Sequence, residues 1–243
     1  MKQGSLVVMC FILLMSFLVF PVSAQEGDKN YQTYIVDSFD TDSGVEWTWK
    51  VGASKFVTEG FPIVKTFDGM PRTLEVMYPD AKEEGSKQYL GVQIKFNRMG
   101  DNYFDIYPVK DGKRYEIPFK GIISRLDMWV WGADYLYSLE ILVRDIEGRV
   151  HPLPVGWLNF KGWENLGIKI PTNIKQKSRY VGTSNKFSFV CFRIRTKPTE
   201  KVDNFYFFVD ELKALTDVFV DSYDGYELVD AKFEETESEE GGK

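Results

Sequence analysis

The side chains that could carry acid–base or nucleophilic chemistry are few and scattered along the chain. His151 is the only histidine, so neither a serine–histidine–aspartate relay nor a histidine metal cluster can be assembled around it. Four carboxylates near expected strands could in principle supply the acid and base of a glycosidase: Asp127, Glu140, Asp145 and Asp210. No spacing among them selects a pair. The sequence therefore favours a protein without catalytic activity.

A structural calcium ion is the metal that the carboxylates could hold, because hard cations prefer carboxylate and carbonyl oxygens. The candidate ligands are Asp145, Glu147, Asp210 and Glu211. The simpler interpretation is that residues Asp145 to Gly148 form a hairpin turn and that Asp210 ends a strand. The chain has no dense run of Asp and Asn of the kind that forms a calcium loop. The sequence predicts no cofactor, with calcium as the open alternative.

Aromatic residues make up 16% of the chain and include six tryptophans. Such side chains stack on sugar rings, fill cores or anchor contacts between subunits. Trp47 with Trp49, and Trp129 with Trp131, are spaced two residues apart, which places each pair on one face of a strand. We expect these four residues to be the candidate interface residues.

The segment around Trp129 and Trp131 is the most informative part of the chain. Here Leu126, Met128 and Val130 alternate with more polar or aromatic residues, as in a strand. If that apolar set packs into the core, the two tryptophans point outward, toward a neighbouring subunit or another partner. The alternative is that the tryptophans form the packed face. Either way, something must cover a face that bears two such large side chains.

Strands rather than helices must position these residues, because short apolar alternations dominate and helical periodicity is scarce. Short helices are predicted near Gly156 to Phe160 or between Pro171 and Tyr180. The predicted fold class is all-β, a jelly-roll-like two-sheet β-sandwich that resembles galactose-binding domains and carbohydrate-binding modules. The predicted strands are Tyr34 to Phe39, Trp47 to Val51, Lys55 to Thr58, Thr73 to Tyr78, Tyr89 to Phe96, Tyr103 to Pro108, Tyr115 to Phe119, Leu126 to Trp131, Ser138 to Asp145, Val150 to Leu153, Trp163 to Ile170, Phe187 to Arg195, Asn204 to Val209 and Tyr226 to Leu228.

The first residues have the pattern of a Sec signal peptide. Lys2 precedes an apolar run that ends at Phe20. A small-x-small pattern follows and ends at Ala24, which predicts cleavage by signal peptidase between Ala24 and Gln25. The apolar run is shorter than the roughly 20 residues of a membrane-spanning helix, so no anchor is expected. The predicted organisation is a signal peptide over 1–24, one β-sandwich domain over 25–233 and an acidic flexible tail over 234–243.

Charge and cysteine content fit an exported protein. The formal net charge of −6 disfavours nucleic acid as a partner. Of the two cysteines, Cys10 would leave with the signal peptide, so Cys191 could form no internal disulfide and stability must come from burial. The expected location is the periplasm.

Short blocks along nearly the whole exported part resemble one protein family. They are Trp47 to Trp49, Ser54 to Gly60, Gly91 to Arg98, Gly100 to Asn102, Tyr115 to Phe119, Trp129 to Ala133, Leu142 to Asp145, Phe160 to Trp163 and Phe192 to Thr196. In this order they are similar to the spirochaete flagellar filament outer layer proteins, the FlaA family.

The resemblance implies a structural protein that forms the sheath around the flagellin core of periplasmic flagella. Its implied partners are the flagellin core, other sheath proteins and copies of itself in a helical lattice, and its implied effect is on filament stiffness, curvature and motility. A secreted carbohydrate-binding module is the alternative, because the same aromatic residues could line a sugar-binding groove. A glycosidase-like enzyme is a more distant alternative.

Overall fold

A computed structural model describes residues 31–79, 87–177 and 186–217. Strands dominate these residues, with one short helix, α1, at Arg72–Met77. The strands are β1 Tyr31–Asp37, β2 Thr48–Ala53, β3 Ile63–Asp68, β4 Gln88–Ile94, β5 Tyr103–Lys110, β6 Lys113–Arg114, β7 Ile117–Pro118, β8 Ile122–Ala133, β9 Ser138–Arg144, β10 Val150–Trp157, β11 Lys161–Lys169, β12 Ser188–Arg195 and β13 Phe205–Asp217.

The strands form two antiparallel sheets. Sheet I has six strands in the order β11-β8-β13-β4-β3, with β1 paired to β13. Sheet II has seven strands in the order β10-β9-β12-β5-β2, with β6 beside β5 and β7 beside β12. Neighbours within a sheet are mostly distant in sequence, as in Greek-key sandwiches. The all-β, two-sheet prediction is confirmed.

The core lies between the facing sides of the two sheets. On β8, the side chains of Leu126, Met128 and Val130 are 0% exposed, while the residues between them face outward. On the facing β12, Phe192 and Ile194 are equally buried. Alternation of apolar and other residues therefore sets which side of each strand faces the core.

Residues Thr73 to Tyr78 were predicted as a strand, and this prediction is wrong because they lie in and just after α1. Pro71 precedes the helix, and its fixed backbone angle suits a helix start. Leu74 alone is buried within α1, so the apolar alternation here reflects no sheet face. Strand β3, which pairs with β4 along its whole length, was not predicted from the sequence.

Neither predicted helix is present in the described residues. Gly156 and Trp157 instead complete β10, where they pair with Leu139 and Ser138 of β9. Residues 171–177 form turns, in which the amide of Ile174 donates to the carbonyl of Pro171. Two predicted strands are shorter in the structure. Residues 55–58 form only one isolated bridge, at Val57, and residues 115–119 pair with a neighbouring strand only over β7.

Three predictions fall outside the described residues: the signal peptide with its cleavage site at Ala24 and Gln25, the strand Tyr226 to Leu228, and the acidic tail. Within the described residues, no helix is long and apolar enough to cross a membrane.

Candidate functional site

Trp129 and Trp131 lie on the outer side of sheet I, and both are partly exposed. Their orientation follows from β8, because the alternate residues Leu126, Met128 and Val130 fill the core. The structure thus places the tryptophans where the outward-facing hypothesis put them.

Aromatic residues from four other strands gather on the same side of sheet I. Trp163 of β11 and Phe208 of β13 pair with Trp131 from its two sides. The ring centroids of Trp131 and Phe208 are 5.4 Å apart, and those of Tyr89 and Trp163 are 5.3 Å apart. Phe67 of β3 stacks on Tyr89 at 5.8 Å. We call this surface the aromatic face; it comprises Phe67, Tyr89, Trp129, Trp131, Trp163 and Phe208.

Gly91 of β4 makes the centre of the aromatic face possible. A Cβ atom added there would lie 2.5 Å from the Phe67 ring and 2.7 Å from the Phe208 ring. Real Cβ atoms do not approach other atoms so closely. The absence of a side chain on Gly91 therefore lets the two rings lie directly on the sheet.

Polar groups border the aromatic face. The side-chain amide of Gln93 donates to the Tyr206 hydroxyl at 2.9 Å, and Asn165 donates to Asp127 at 3.3 Å. A hollow of about 170 Å³ lies between Gln93, Tyr206 and the rings of Phe67 and Phe208. Phe67 is 40% exposed and Tyr206 is 39% exposed. An apolar centre with a polar rim is the usual composition of a protein contact surface.

The outer side of sheet II is different in character, because it carries buried and half-buried ion pairs. Arg193 makes two hydrogen bonds of 2.7 Å to the carboxylate of Asp105, and Arg195 binds Glu140 at 3.1 Å. The guanidinium of Arg193 also lies 4.6 Å from the ring centroid of Tyr103. These four charges pair with one another, whereas the aromatic face offers large apolar groups.

Trp47 and Trp49 do not belong to the aromatic face. They lie on the inner side of sheet II, and both indole N–H groups donate to the Asp37 carboxylate at 2.9 Å. The Trp49 ring stacks on Phe192 in the core. Burial raises the pKa of Asp37, and the hydrogen bonds oppose that effect. These two tryptophans close the sandwich between β2 and β3, beside a cleft of about 400 Å³.

The calcium candidates fall into two separate places. Asp145 and Glu147 lie in the β9–β10 turn of sheet II, whereas Asp210 and Glu211 lie within β13 of sheet I. Asp210 does not end a strand as expected; it lies at a bulge where β13 shifts register against β8. Within the described part of the chain, no three metal-binding side chains form a cluster.

Asp145 instead stabilises its own turn through hydrogen bonds. Its carboxylate accepts hydrogen bonds from the amides of Glu147 and Arg149 at 2.9 Å and lies 2.7 Å from Nε2 of His151. Burial raises the pKa of Asp145, but the hydrogen bonds from His151 and Arg149 outweigh it and hold the pKa below its usual value. The hairpin-turn interpretation of this segment is therefore supported by its contacts.

The remaining reactive groups are dispersed. Asp127 lies on the outer side of sheet I and Glu140 on that of sheet II, so these two carboxylates cannot act on one substrate as a glycosidase pair. Cys191 is buried, and burial raises the pKa of its thiol to about 12, which keeps it protonated.

Only part of the aromatic face could be predicted from the sequence. Trp129 and Trp131 could be found from the alternation on β8, but Tyr89, Trp163 and Phe208 were not among the candidate interface residues. The alternation through Phe205, Tyr206, Phe207 and Phe208 was the available signal for β13. Which strands lie beside β8 was not readable from sequence.

The sequence profile of the flagellar filament outer layer proteins, FlaA, matches residues 28–224, which is most of the chain and all described strands. The chain belongs to this family. A putative outer layer-like protein of Brachyspira hyodysenteriae is 29% identical to this FlaA-family chain over 140 residues. That match covers 58% of this chain and 62% of the relative. The flagellar filament outer layer protein of Borreliella burgdorferi is 28% identical over 173 residues, covering 58% of this chain and 49% of that protein.

Solved structures that this FlaA-family chain resembles are carbohydrate-binding modules. A family 11 module from a cellulosomal cellulase of Clostridium thermocellum has a TM-score of 0.39 at 13% identity, covering 76% of this chain and 95% of the module. A family 29 module from Piromyces equi has a TM-score of 0.33 at 8% identity, covering 79% and 95%. The similarity concerns the β-sandwich fold and not a ligand.

Proposed function

We propose that this protein is a structural subunit of the sheath that covers the flagellin core of the periplasmic flagellar filament. The observation that carries the proposal is the aromatic face, because it is a large apolar surface on a protein whose family forms an outer filament layer. The family name describes a filament component, which favours a structural or binding role over catalysis.

The aromatic face has the properties of a contact surface. Its rings are held by one another, as in the edge-to-face contact of Trp131 with Phe208 at 80°, so little side-chain freedom is lost when a partner binds. Aromatic side chains also contribute a large share of the binding energy at protein interfaces. On the outer side of sheet II, the ion pairs Arg193–Asp105 and Arg195–Glu140 lie where sheet I has its aromatic rings.

The proposed partners are the flagellin core, other sheath proteins and further copies of this chain. Repeated contacts between unlike surfaces that do not close on themselves produce a helical lattice, as a filament coat needs. The proposed location is the periplasm, reached by a Sec signal peptide that is removed between Ala24 and Gln25. A bound coat of this kind would change the stiffness and curvature of the filament and thereby motility.

The test compares three tryptophan variants in cells and on isolated periplasmic flagella. Trp131→Ala and Trp163→Ala remove anchors of the aromatic face, while Trp157→Ala is the matched control. Trp157 is 52% exposed and lies on β10 of sheet II. We expect Trp131→Ala and Trp163→Ala to be folded and exported but to lose about 2 kcal/mol or more of filament binding, as for truncated hot-spot residues. Trp157→Ala should stay on the filament.

Equal retention of all variants would contradict the role of the aromatic face. Binding of the wild-type protein to a polysaccharide resin, abolished by Trp131→Ala and unaccompanied by any association with flagella, would replace the proposal by the carbohydrate-binding alternative. Circular dichroism and thermal unfolding of each purified variant separate lost binding from lost folding.

A further inference from the structure

Strand β3 lies at the edge of sheet I. Within the described residues it pairs with β4 on one side and with no strand on the other. Five of its six residues are exposed, among them Ile63 at 37% and Phe67 at 40%. An exposed strand edge that carries large apolar side chains is a template for pairing with another strand.

The backbone groups on the free side of β3 follow from its register with β4. The amide of Gly69 donates to the carbonyl of Lys87 at 2.8 Å, and hydrogen-bonded pairs alternate along an antiparallel ladder. Counting back from this pair, the odd-numbered residues of β3 bond to β4. The amides and carbonyls of Val64, Thr66 and Asp68 therefore point away from β4. A strand laid beside β3 would meet these donors and acceptors.

There is room for added side chains on both sides of sheet I at this edge. On the inner side, Val64 and Thr66 line the cleft of about 400 Å³ between β3 and β2. On the outer side, Ile63 and Phe67 line the hollow of about 170 Å³ in the aromatic face. An added strand needs both spaces, because its side chains alternate between the two sides of the sheet.

The strands at the other ends of the two sheets are less suited to pairing. The exposed side chains of β11 are all polar or charged, namely Lys161, Glu164, Asn165 and Lys169. On β2, only Thr48 and Lys50 are exposed. Strand β10 contains Pro152 and Pro154, which have no amide hydrogen to donate. Edge strands are commonly protected in these ways, whereas β3 contains no proline and exposes two large apolar side chains.

We propose that β3 pairs antiparallel with β3 of a second copy of this chain, about a two-fold axis through Thr66. In this register Thr66 faces the same residue of the other copy, Lys65 faces Phe67, and Val64 faces Asp68. The strand is thus complementary to itself, and the occupant of the free edge is a second copy.

Charge and length select this register. An axis through Lys65 would place two like charges directly opposite each other, which destabilises a strand pair. An axis through Phe67 would leave few residues before the chain turns at Gly69, where φ is +121°. With the axis at Thr66, the ammonium group of Lys65 lies over the Phe67 ring of the other copy, a favourable cation–aromatic contact.

The pairing joins two six-stranded sheets into one continuous sheet. Both aromatic faces then lie on the same side, because directly opposed residues of an antiparallel pair point the same way. A contact between like surfaces closes on itself, so it makes a pair of subunits, and any longer array needs other contacts. The proposal concerns a contact between two copies and does not depend on the role in the filament sheath.

Sedimentation of the purified exported protein at increasing concentration tests the pairing without any filament. We expect the wild type to pass from monomer to dimer as its concentration rises, since a contact built on one strand pair is small. Thr66→Pro removes an amide that points away from β4, so the fold is kept while dimerisation weakens about tenfold or more. Thr66→Ala keeps that amide and is the matched control, which should dimerise nearly as the wild type does.

Two results of the sedimentation experiment would overturn the proposal. One is a wild type that stays monomeric up to about 1 mM, which would favour a strand of a different protein at this edge. The other is a Thr66→Pro variant that dimerises as well as Thr66→Ala. Circular dichroism and thermal unfolding of both variants show whether the fold is intact.

Disulfide formation tests the register. The two Cα atoms at position 66 would lie about 5.5 Å apart across the axis, which is within the range of a disulfide. Mild oxidation should therefore link Thr66→Cys into a dimer, and the buried Cys191 does not compete. Thr172→Cys, in the exposed turn after β11, is the control and should stay unlinked. Equal linking of the two variants, or no linking of Thr66→Cys in a sample that sediments as a dimer, would rule out this register.

Discussion

Trp131 and Phe208 face each other across β8 and β13, with ring centroids 5.4 Å apart and ring planes at 80°. This edge-to-face geometry is a favourable arrangement of two aromatic rings. Each ring therefore fixes the orientation of the other at the middle of the aromatic face. A partner that binds there meets a surface that is already ordered.

The first prediction concerns the coupling of these two residues. Phe208→Ala should weaken filament binding, because the Trp131 ring loses the contact that holds its orientation. The double variant should lose less binding free energy than the sum of the single variants, with a coupling of about 0.5–1.5 kcal/mol. Binding of labelled protein to stripped filaments gives the four affinities. Strict additivity, as expected for Phe208→Ala with Trp157→Ala, would show that the rings act independently.

The second prediction concerns Gly91. Gly91→Ala should force the rings of Phe67 and Phe208 away from the sheet, since the added Cβ would lie 2.5 Å and 2.7 Å from them. We expect a loss of about 1–3 kcal/mol in the free energy of unfolding, as for overpacked sites. Gly156→Ala is the matched control, because nothing lies within 4 Å of a Cβ at that position. Urea unfolding measures both, and equal stability of the two variants would contradict the close packing at Gly91.

The third prediction concerns the indole of Trp49. Trp49→Phe keeps an aromatic ring in the core but removes one of the donors to the buried Asp37 carboxylate. We expect a loss of about 1–3 kcal/mol, the usual effect of leaving a buried polar group with too few partners. Filament binding should be unchanged once the variant is folded. Urea unfolding and filament retention together test this prediction. A variant that is as stable as wild type but absent from filaments would indicate that Trp49 is an interface residue.

The fourth prediction concerns the pH dependence of stability. Burial and the nearby Glu211 carboxylate raise the pKa of Asp210 to about 8. An acid whose pKa is higher in the folded than in the unfolded state, about 3.9, stabilises the fold below the lower value. That contribution is lost progressively as the pH rises toward about 8. The wild type should therefore lose stability between pH 5 and pH 8.5 relative to Asp210→Asn.

Thermal unfolding midpoints across this pH range provide the measurement. Asp42→Asn, at an exposed loop position, is the control and should follow the wild-type curve. Parallel curves for wild type and Asp210→Asn would mean that Asp210 is ionised in the folded protein.

The fold and half of the aromatic face could be predicted because they depend on local alternation. The pattern through Leu126, Met128 and Val130 defined a buried side, so the outward direction of Trp129 and Trp131 followed. The same logic failed for Trp47 and Trp49, where alternation gave a shared face but not which face. Their direction is set by Asp37, ten and twelve residues away in sequence, which accepts both indole hydrogen bonds.

The rest of the aromatic face depends on long-range strand pairing. Trp163 and Phe208 meet Trp131 only because β11 and β13 flank β8, and Tyr89 and Phe67 arrive through β4 and β3. A shift of one residue in any of these registers would turn the aromatic side chains to the other side. No local pattern specifies such a register. The helix at Arg72–Met77 was missed for the opposite reason, since a short amphipathic turn imitates strand alternation.

The contrast between the two outer sides of the sandwich bears on how thick a coat of these molecules can become. A subunit laid down through its aromatic face turns the Arg193–Asp105 and Arg195–Glu140 pairs toward the surroundings. Those four charges are already paired, so they offer an arriving molecule no unpaired charge to bind. For the proposed sheath we therefore expect sideways growth and a coat that is one molecule deep.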